Sequence, residues 1–220
     1  MTSPDPKSYY NQKYFDLQHG LGRFNGVMDA WKFRPYIKPA DRVLDFGCGG
    51  GYILKEQQCA KKYGIEINPA AGKIAESNGI EVYSSSQAAL VGMGQPVDIV
   101  ISNHALEHTL QPATELQGLR ALLRQGGLLV MYLPLVAWSK EGAYDPGDWC
   151  QHLYCWTPQN IGNLLATCGY DVREARLVHH LVPPFVTLIK GWPEWLRNTL
   201  CYAWSRASRL SQTMVVAVKP

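Results

Sequence analysis

Residues 43–54 read VLDFGCGGGYIL. An apolar run ends in an aspartate, then breaks into glycines at 47, 49, 50 and 51. Glycine weakens a regular element, so this crowding marks backbone that must turn tightly and leave room for something to come close. A buried strand, a glycine turn and a helix in that order open an α/β layer fold, and little else begins that way.

The pattern continues in register. Val43–Phe46 reads as a strand and Tyr52–Ala60 as a helix. Lys62–Ile67 is a second strand, with a helix opening near Pro69. Glu81–Tyr83 and Val97–Ser102 are the third and fourth strands. Pro112–Leu123 is helical and closes on Gly126–Gly127, and Leu128–Leu133 is the fifth strand. These strands are continuous apolar runs rather than alternating ones, which predicts a parallel sheet covered on both faces. Pro158–Cys168 then reads as a helix, with strands at Asp171–Val178 and Thr213–Val218.

Composition narrows the function. At 220 residues and 46% hydrophobic, the chain suits one domain with a sizeable core. A net charge of +3 is too mild to point to nucleic acid. The start, MTSPDPKSYYNQKYF, lacks a signal-peptide layout, and no apolar run is long enough to suggest a membrane span. A cytoplasmic location with six reduced cysteines is the expectation. Cys150, His152 and Cys155 are close in sequence, but a closed zinc site needs four ligands and no matching pair follows. A metal on Glu107 and His108 lacks a third ligand, so no metal is expected.

The turn itself selects a ligand class. Gly47, Gly49 and Gly51 give G-x-G-x-G, while Tyr52 stands where the dinucleotide fingerprint has its third glycine. No Gly-Lys-Ser/Thr follows either, so a phosphate cradle is not met. Glu66 ends the second strand about 20 residues on, where an acid commonly holds ribose hydroxyls. A ribose-binding acid without a pyrophosphate signature suggests a nucleoside. A nicotinamide oxidoreductase is disfavoured by the missing glycine.

Four stretches together, VLDFGCGGG, GIEIN, VDIVISNHALEH and LLRQGGLLVMYLP, resemble the motifs of class I S-adenosylmethionine-dependent methyltransferases. The likeness covers about residues 40–135, and HLYCWTPQNIGNLLATCGYDV is similar to the small-molecule branch. The resemblance implies a Rossmann-like, doubly wound sheet of seven strands, mostly parallel with an antiparallel last strand and helices on both faces. It implies a single domain over 1–220: an aromatic-rich helical cap at 1–40, a cofactor-binding core at 41–135, and an acceptor-side half at 136–220. It also implies S-adenosylmethionine as cofactor. Asp45, Phe46, Gly47, Cys48, Gly49 and Gly51 would face its methionine end and ribose. Glu66 would hold the ribose hydroxyls and Ile67 would pack on the adenine. Ser85 and Ser86 stand where the family often has an aspartate, which leaves the adenine contact open between them and a plain loop. Asn103 and His104 would line the methyl-transfer floor.

Methyl transfer to a hydroxyl needs a base, and histidine suits that work near neutral pH. His104 and His152 are the candidates, each with a structural alternative: a hydrogen-bonded pocket wall for the first, a helix cap for the second. His108, in the Glu107–His108 pair, more often orders the loop. Trp149, Tyr154 and Trp156 form a candidate aromatic wall for an acceptor ring. The expected activity is O-methylation of a small or medium organic acceptor, such as a sugar or glycan precursor or an aromatic metabolite. The alternative is a scaffold that binds cofactor without turnover.

Residues 182–210 are longer than a simple link between the last two strands. Trp192, Trp195, Leu196, Thr199, Leu200, Ala203, Ala207 and Leu210 fall at helical spacing, with Pro193 at the start. Three uses stay open: a helix closing over the acceptor site, a homodimer interface, or an amphipathic helix resting peripherally on an anionic membrane.

Overall fold

The computed structural model describes residues 24, 26–135, 144, 151–189 and 191–220. Most of the amino-terminal aromatic run (Tyr9, Tyr10, Tyr14 and Phe15 among it) lies outside the described residues, as do Trp149 and Cys150.

Seven strands form one sheet: β1 (Arg42–Phe46), β2 (Lys61–Ile65), β3 (Glu81–Tyr83), β4 (Val97–Asn103), β5 (Leu123–Pro134), β6 (Asp171–Val178) and β7 (Gln212–Val218). Their spatial order is β3-β2-β1-β4-β5-β7-β6. The first five strands pair in parallel, and β7 runs antiparallel between β5 and β6. The chain winds outward from β1 to β3, then returns to lay β4 on the other side of β1. That reversal leaves a crevice outside the carboxyl ends of β1 and β4. Because β7 is antiparallel, its first residue pairs with the last of β5 (Pro134↔Gln212), which brings Gln212 to the same edge.

The unbroken apolar strands follow from two covered faces. Leu44, Phe46, Val100, Leu129, Met131, Val215 and Ala217 pack into one core, together with Ile161 and Leu165 of a helix. Val43, Ile99, Ile101, Val130, Tyr132, Met214 and Val216 pack into the other, with Phe33, Leu54 and Ala75.

The helices are α1 (Tyr52–Lys55), α2 (Pro69–Ser77), α3 (Ser86–Gly92), α4 (Pro112–Leu122), α5 (Pro158–Thr167) and α6 (Glu194–Ser208). The caps are chemical: Asn68 accepts from Ala70 and Ala71 N–H, and Thr157 accepts from Asn160 N–H. Helix α1 is shorter than the expected Tyr52–Ala60. Gln57 folds inward instead, 3% exposed, and donates to the Ala30 carbonyl at 2.8 Å. Strand β5 starts earlier than the expected Leu128. Val97 pairs with Leu123 and Ile99 with Leu128, so Gly126–Gly127 belongs to a bulge inside the strand, not to a helix end.

Helix α6 exists where the spacing predicts one, but another stripe faces inward. Cys201 and Ser205 are fully buried, while Trp195 is 69% and Tyr202 54% exposed. The small residues let the helix settle close, and Cys201 packs with Met28 and Ile189. Arg34 and Glu194 pair at 2.8 Å beside this contact. No helix among the described residues is long and apolar enough to cross a membrane.

Candidate active site

A cavity of about 600 Å³ lies at the crevice, lined by residues following β1, β2, β3 and β4. Its floor is the glycine turn. Gly47 N–H and Cys48 N–H both donate to the Ile65 carbonyl, at 2.9 and 3.1 Å, which clamps the turn across to β2. Gly47 has φ 72°, and a Cβ there would meet the Ala105 Cβ at 2.4 Å. Gly49 has φ 53°, yet a Cβ there would meet nothing within 4 Å. The two glycines therefore differ in purpose: Gly47 lets β1 approach the loop after β4, and Gly49 keeps a face of backbone open to the cavity.

Glu66 stands just beyond β2 and accepts from Gly49 N–H and Asn68 N–H, both at 2.8 Å. Burial raises its pKa, and those donors offset only part of the rise. Asp45 is 3% exposed at the end of β1 and does not line the cavity. Burial, then the charge of Glu66, pushes its carboxyl up to about 8. Phe46, Cys48, Ile67, Ser85, Asn103 and His104 all line the cavity. Gly51 and Ser86 do not; Gly51 sits behind the turn against Ile80, and the Ser86 hydroxyl faces Glu115 at 3.4 Å. Ser85 caps α3 by accepting from Ala88 N–H.

The deep end of the cavity is a polar network that the motifs did not announce. Lys32 is 1% exposed. Its ammonium meets Asp29 at 2.9 Å, Gln212 Oε1 at 3.1 Å and Asn103 Oδ1 at 3.2 Å. Asn103 in turn donates to Asp29 at 3.3 Å. Asp29 lines the cavity, and although burial raises its pKa, Lys32 and His180 hold it below the usual range. The only hint in the sequence is the Asp-x-x-Lys spacing within MDAWKF, which puts both groups on one face of a helical turn.

His104 has φ 55°, an uncommon conformation for a residue with a side chain, held by His104 N–H donating to the Tyr132 carbonyl at 2.9 Å. Its Nε2 lies 3.1 Å from Gln212 and its Nδ1 3.6 Å from Glu107 Oε1. Burial and the nearby Lys32 charge lower its pKa to about 4, so it is neutral at pH 7.

His152 is not part of the cavity wall. The fold brings it instead to Glu107 and His108, whose ligand-type atoms all lie within 4.8 Å of its own. Leu153 N–H donates to the Glu107 carbonyl at 2.9 Å and fixes this placement. The expected aromatic wall is corrected in part. Trp156 is 5% exposed and belongs to the core, with Tyr154 stacked on it at 5.3 Å. Among the described residues, none from 182–210 lines the cavity.

The residues fit an S-adenosylmethionine-sized ligand: an open glycine backbone, an acid at the next strand end and an exposed apolar Ile67 converge on one cavity. Comparison with known proteins agrees. A family described as a methyltransferase domain matches residues 23–175, more than half of the chain. The ubiquinone biosynthesis O-methyltransferase of Cereibacter sphaeroides is 29% identical over 157 residues, covering 59% of this chain and 60% of that one. Its namesake in Dinoroseobacter shibae is 31% identical over 154 residues, with the same coverage. The chain thus matches about 60% of the length of these curated relatives. A solved S-adenosylmethionine-dependent methyltransferase of Thermotoga maritima, titled a possible histamine N-methyltransferase, superposes with a TM-score of 0.67 at 13% identity. That match covers 98% of this chain and 100% of the other. The [4+2]-cyclase SpnF superposes at 0.58 and 16% identity, over 88% and 80% of the two chains. At such identities the solved structures speak for the fold alone. The sequence motifs and the family match carry the assignment: the chain belongs to the class I S-adenosylmethionine-dependent methyltransferases.

Proposed function

We propose that the chain transfers a methyl group from S-adenosylmethionine to an oxygen of a small or medium organic acceptor. The observation that carries this reading is the continuity of one cavity from Gly49 and Glu66 to Asn103 and His104. Donor and acceptor can lie end to end there without crossing a barrier.

Glu66 holds the ribose hydroxyls, the Gly47–Gly49 backbone faces the methionine half, and Ile67 with Ser85 meets the adenine. Asp45 acts from beneath, by supporting the turn. The bound cofactor supplies an electrophilic methyl on a sulfonium leaving group. The protein's part is then alignment and exclusion of water. His104, neutral and at the cavity wall, accepts the proton of the acceptor hydroxyl, and Asp29 and Asn103 orient that end. His152 is not assigned the base role, because it faces Glu107 instead of the cavity.

The acceptor reading rests on the relatives, whose names specify O-methylation in ubiquinone biosynthesis. That favours an aromatic or quinone-like ring over a sugar or glycan precursor. Calorimetric titration with S-adenosylmethionine is the first test, followed by transfer of labelled methyl to catechols, phenols and sugars. No binding at millimolar cofactor sinks the reading. Tight binding without transfer to any acceptor class favours the scaffold alternative.

A further inference from the structure

Glu107 is fully buried, and among the described residues neither of its carboxylate oxygens has a hydrogen-bond partner. A buried carboxylate left so is costly unless a cation or a proton answers it. Three imidazole nitrogens surround its Oε1: His104 Nδ1 at 3.6 Å, His108 Nε2 at 3.9 Å and His152 Nε2 at 4.0 Å. These are too long for hydrogen bonds. They are close to the separation of two ligands on a shared ion, since bonds of about 2.0–2.1 Å at tetrahedral angles leave donors roughly 3.4 Å apart. The backbone near the cluster is also unusual. His104 has φ 55° and Gln151 φ 45°, two of the three described non-glycine residues with positive φ.

We propose that Glu107, His108 and His152 bind one divalent transition metal ion. Two imidazoles and a carboxylate suit zinc, cobalt, manganese or iron better than magnesium or calcium, which prefer oxygen ligands. Helical and strand-end geometry supplies Glu107 and His108 from one short turn, and the Leu153-to-Glu107 hydrogen bond docks His152 from far along the chain. His108 lines the cavity while His152 and Glu107 lie behind it. The ion therefore sits at the cavity's edge, with a coordination position facing the acceptor end. There it takes an acceptor hydroxyl oxygen and lowers its pKa, and the released proton passes to His104 as the oxygen takes the methyl. That use rests on the methyl-transfer reading; the binding of the ion does not.

Cobalt(II) is the probe, added to chelator-treated full-length protein without cofactor. One saturable equivalent is expected, with visible d–d absorption of a four- or five-coordinate nitrogen/oxygen site, displaced by zinc. His152→Ala and Glu107→Gln should each weaken binding by at least about 100-fold, as loss of a protein ligand from such a site does. Circular dichroism and S-adenosylmethionine titration report whether each variant has folded. If a variant fails to fold, the wild-type spectrum still decides. Absence of saturable binding overturns the proposal, as does thiolate-to-cobalt charge transfer, which places the ion on cysteines. Unchanged binding in both folded variants overturns it too. Cofactor binding without metal binding sinks this inference alone, and metal binding without cofactor binding sinks the proposed function alone.

Discussion

The side-chain oxygen of Gln212 lies 3.1 Å from Nε2 of His104. The same oxygen accepts from Lys32, and the amide nitrogen of Gln212 donates to the His180 carbonyl. The amide is thereby oriented, and its oxygen can only accept. His104 therefore carries its proton on Nε2, leaving the lone pair on Nδ1 toward Glu107. Nitrogen-15 spectra of the metal-free protein should show Nδ1 as the unprotonated nitrogen. Gln212→Leu should release the ring to a mixture of tautomers. A wild-type spectrum with the proton on Nδ1 would show the network to be wired differently.

Lys32 is the charge on which this network turns. It is buried with Asp29 at 2.9 Å, so removing it leaves a carboxylate without its counter-charge. Lys32→Met should cost about 3–5 kcal/mol in urea unfolding. The double variant Asp29→Asn/Lys32→Met should recover a large part of that loss, because neither buried charge remains. Equal losses in the single and double variants would mean that Lys32 acts by packing alone.

Gly47 and Gly49 should separate folding from binding. Gly47→Ala meets both a left-handed backbone and the Ala105 Cβ at 2.4 Å, so it should lower stability beyond the about 1–2 kcal/mol of the conformation itself. Gly49→Ala bears only the conformational cost, since its Cβ points into open space. It should instead weaken S-adenosylmethionine by at least about 10-fold, or about 1.4 kcal/mol. Calorimetry and urea midpoints read the two effects. Equal effects at the two positions would remove the distinction drawn between them.

These glycines were legible in the sequence because turn chemistry is local: spacing alone reports a strand, a turn and an acid after the next strand. The mainly parallel sheet was legible as well, since continuous apolar runs imply a sheet covered on both faces. What the sequence did not disclose is long-range. Gln212 reaches His104 only because β7 runs antiparallel and starts at the site edge. Lys32 stands in an aromatic segment, and only its spacing from Asp29 hints at their pairing. His152 stood among cysteines in the chain, yet its neighbours in space are Glu107 and His108. The pairings of Gln212 with His104 and of His152 with Glu107 and His108 leave no period or spacing to read.

Asp45 should impose a pH dependence on stability. Its folded pKa, about 8, lies above the ordinary carboxylate range. The folded chain then holds a proton that the unfolded chain has lost, so this group's contribution falls as pH rises from about 4 to about 8. His104, His108 and His180, each lowered to about 4, act in the opposite sense up to about pH 6.5. In the window pH 6.5–8, with chelator present, the histidines drop out, while buried Glu107, also pushed up to about 8, acts in the same sense as Asp45. Wild type should lose stability there, and Asp45→Asn should flatten the decline by up to about 1.4 kcal/mol per pH unit. Parallel profiles would mean that Asp45 is already ionised in the folded chain.

The late helix offers the sharpest contrast between spacing and packing. Residue spacing puts Trp195 on the apolar stripe, yet Trp195 is 69% exposed and Cys201 fully buried. Leu188, just before the helix, is 79% exposed. Trp195→Gln and Leu188→Gln should each leave unfolding free energy within about 0.5 kcal/mol of wild type. Cys201→Leu adds volume where the helix closes on Met28 and Ile189, and should cost about 1–3 kcal/mol. Urea midpoints of the three variants check the orientation directly. The opposite ranking would rotate the helix and bury its tryptophan stripe.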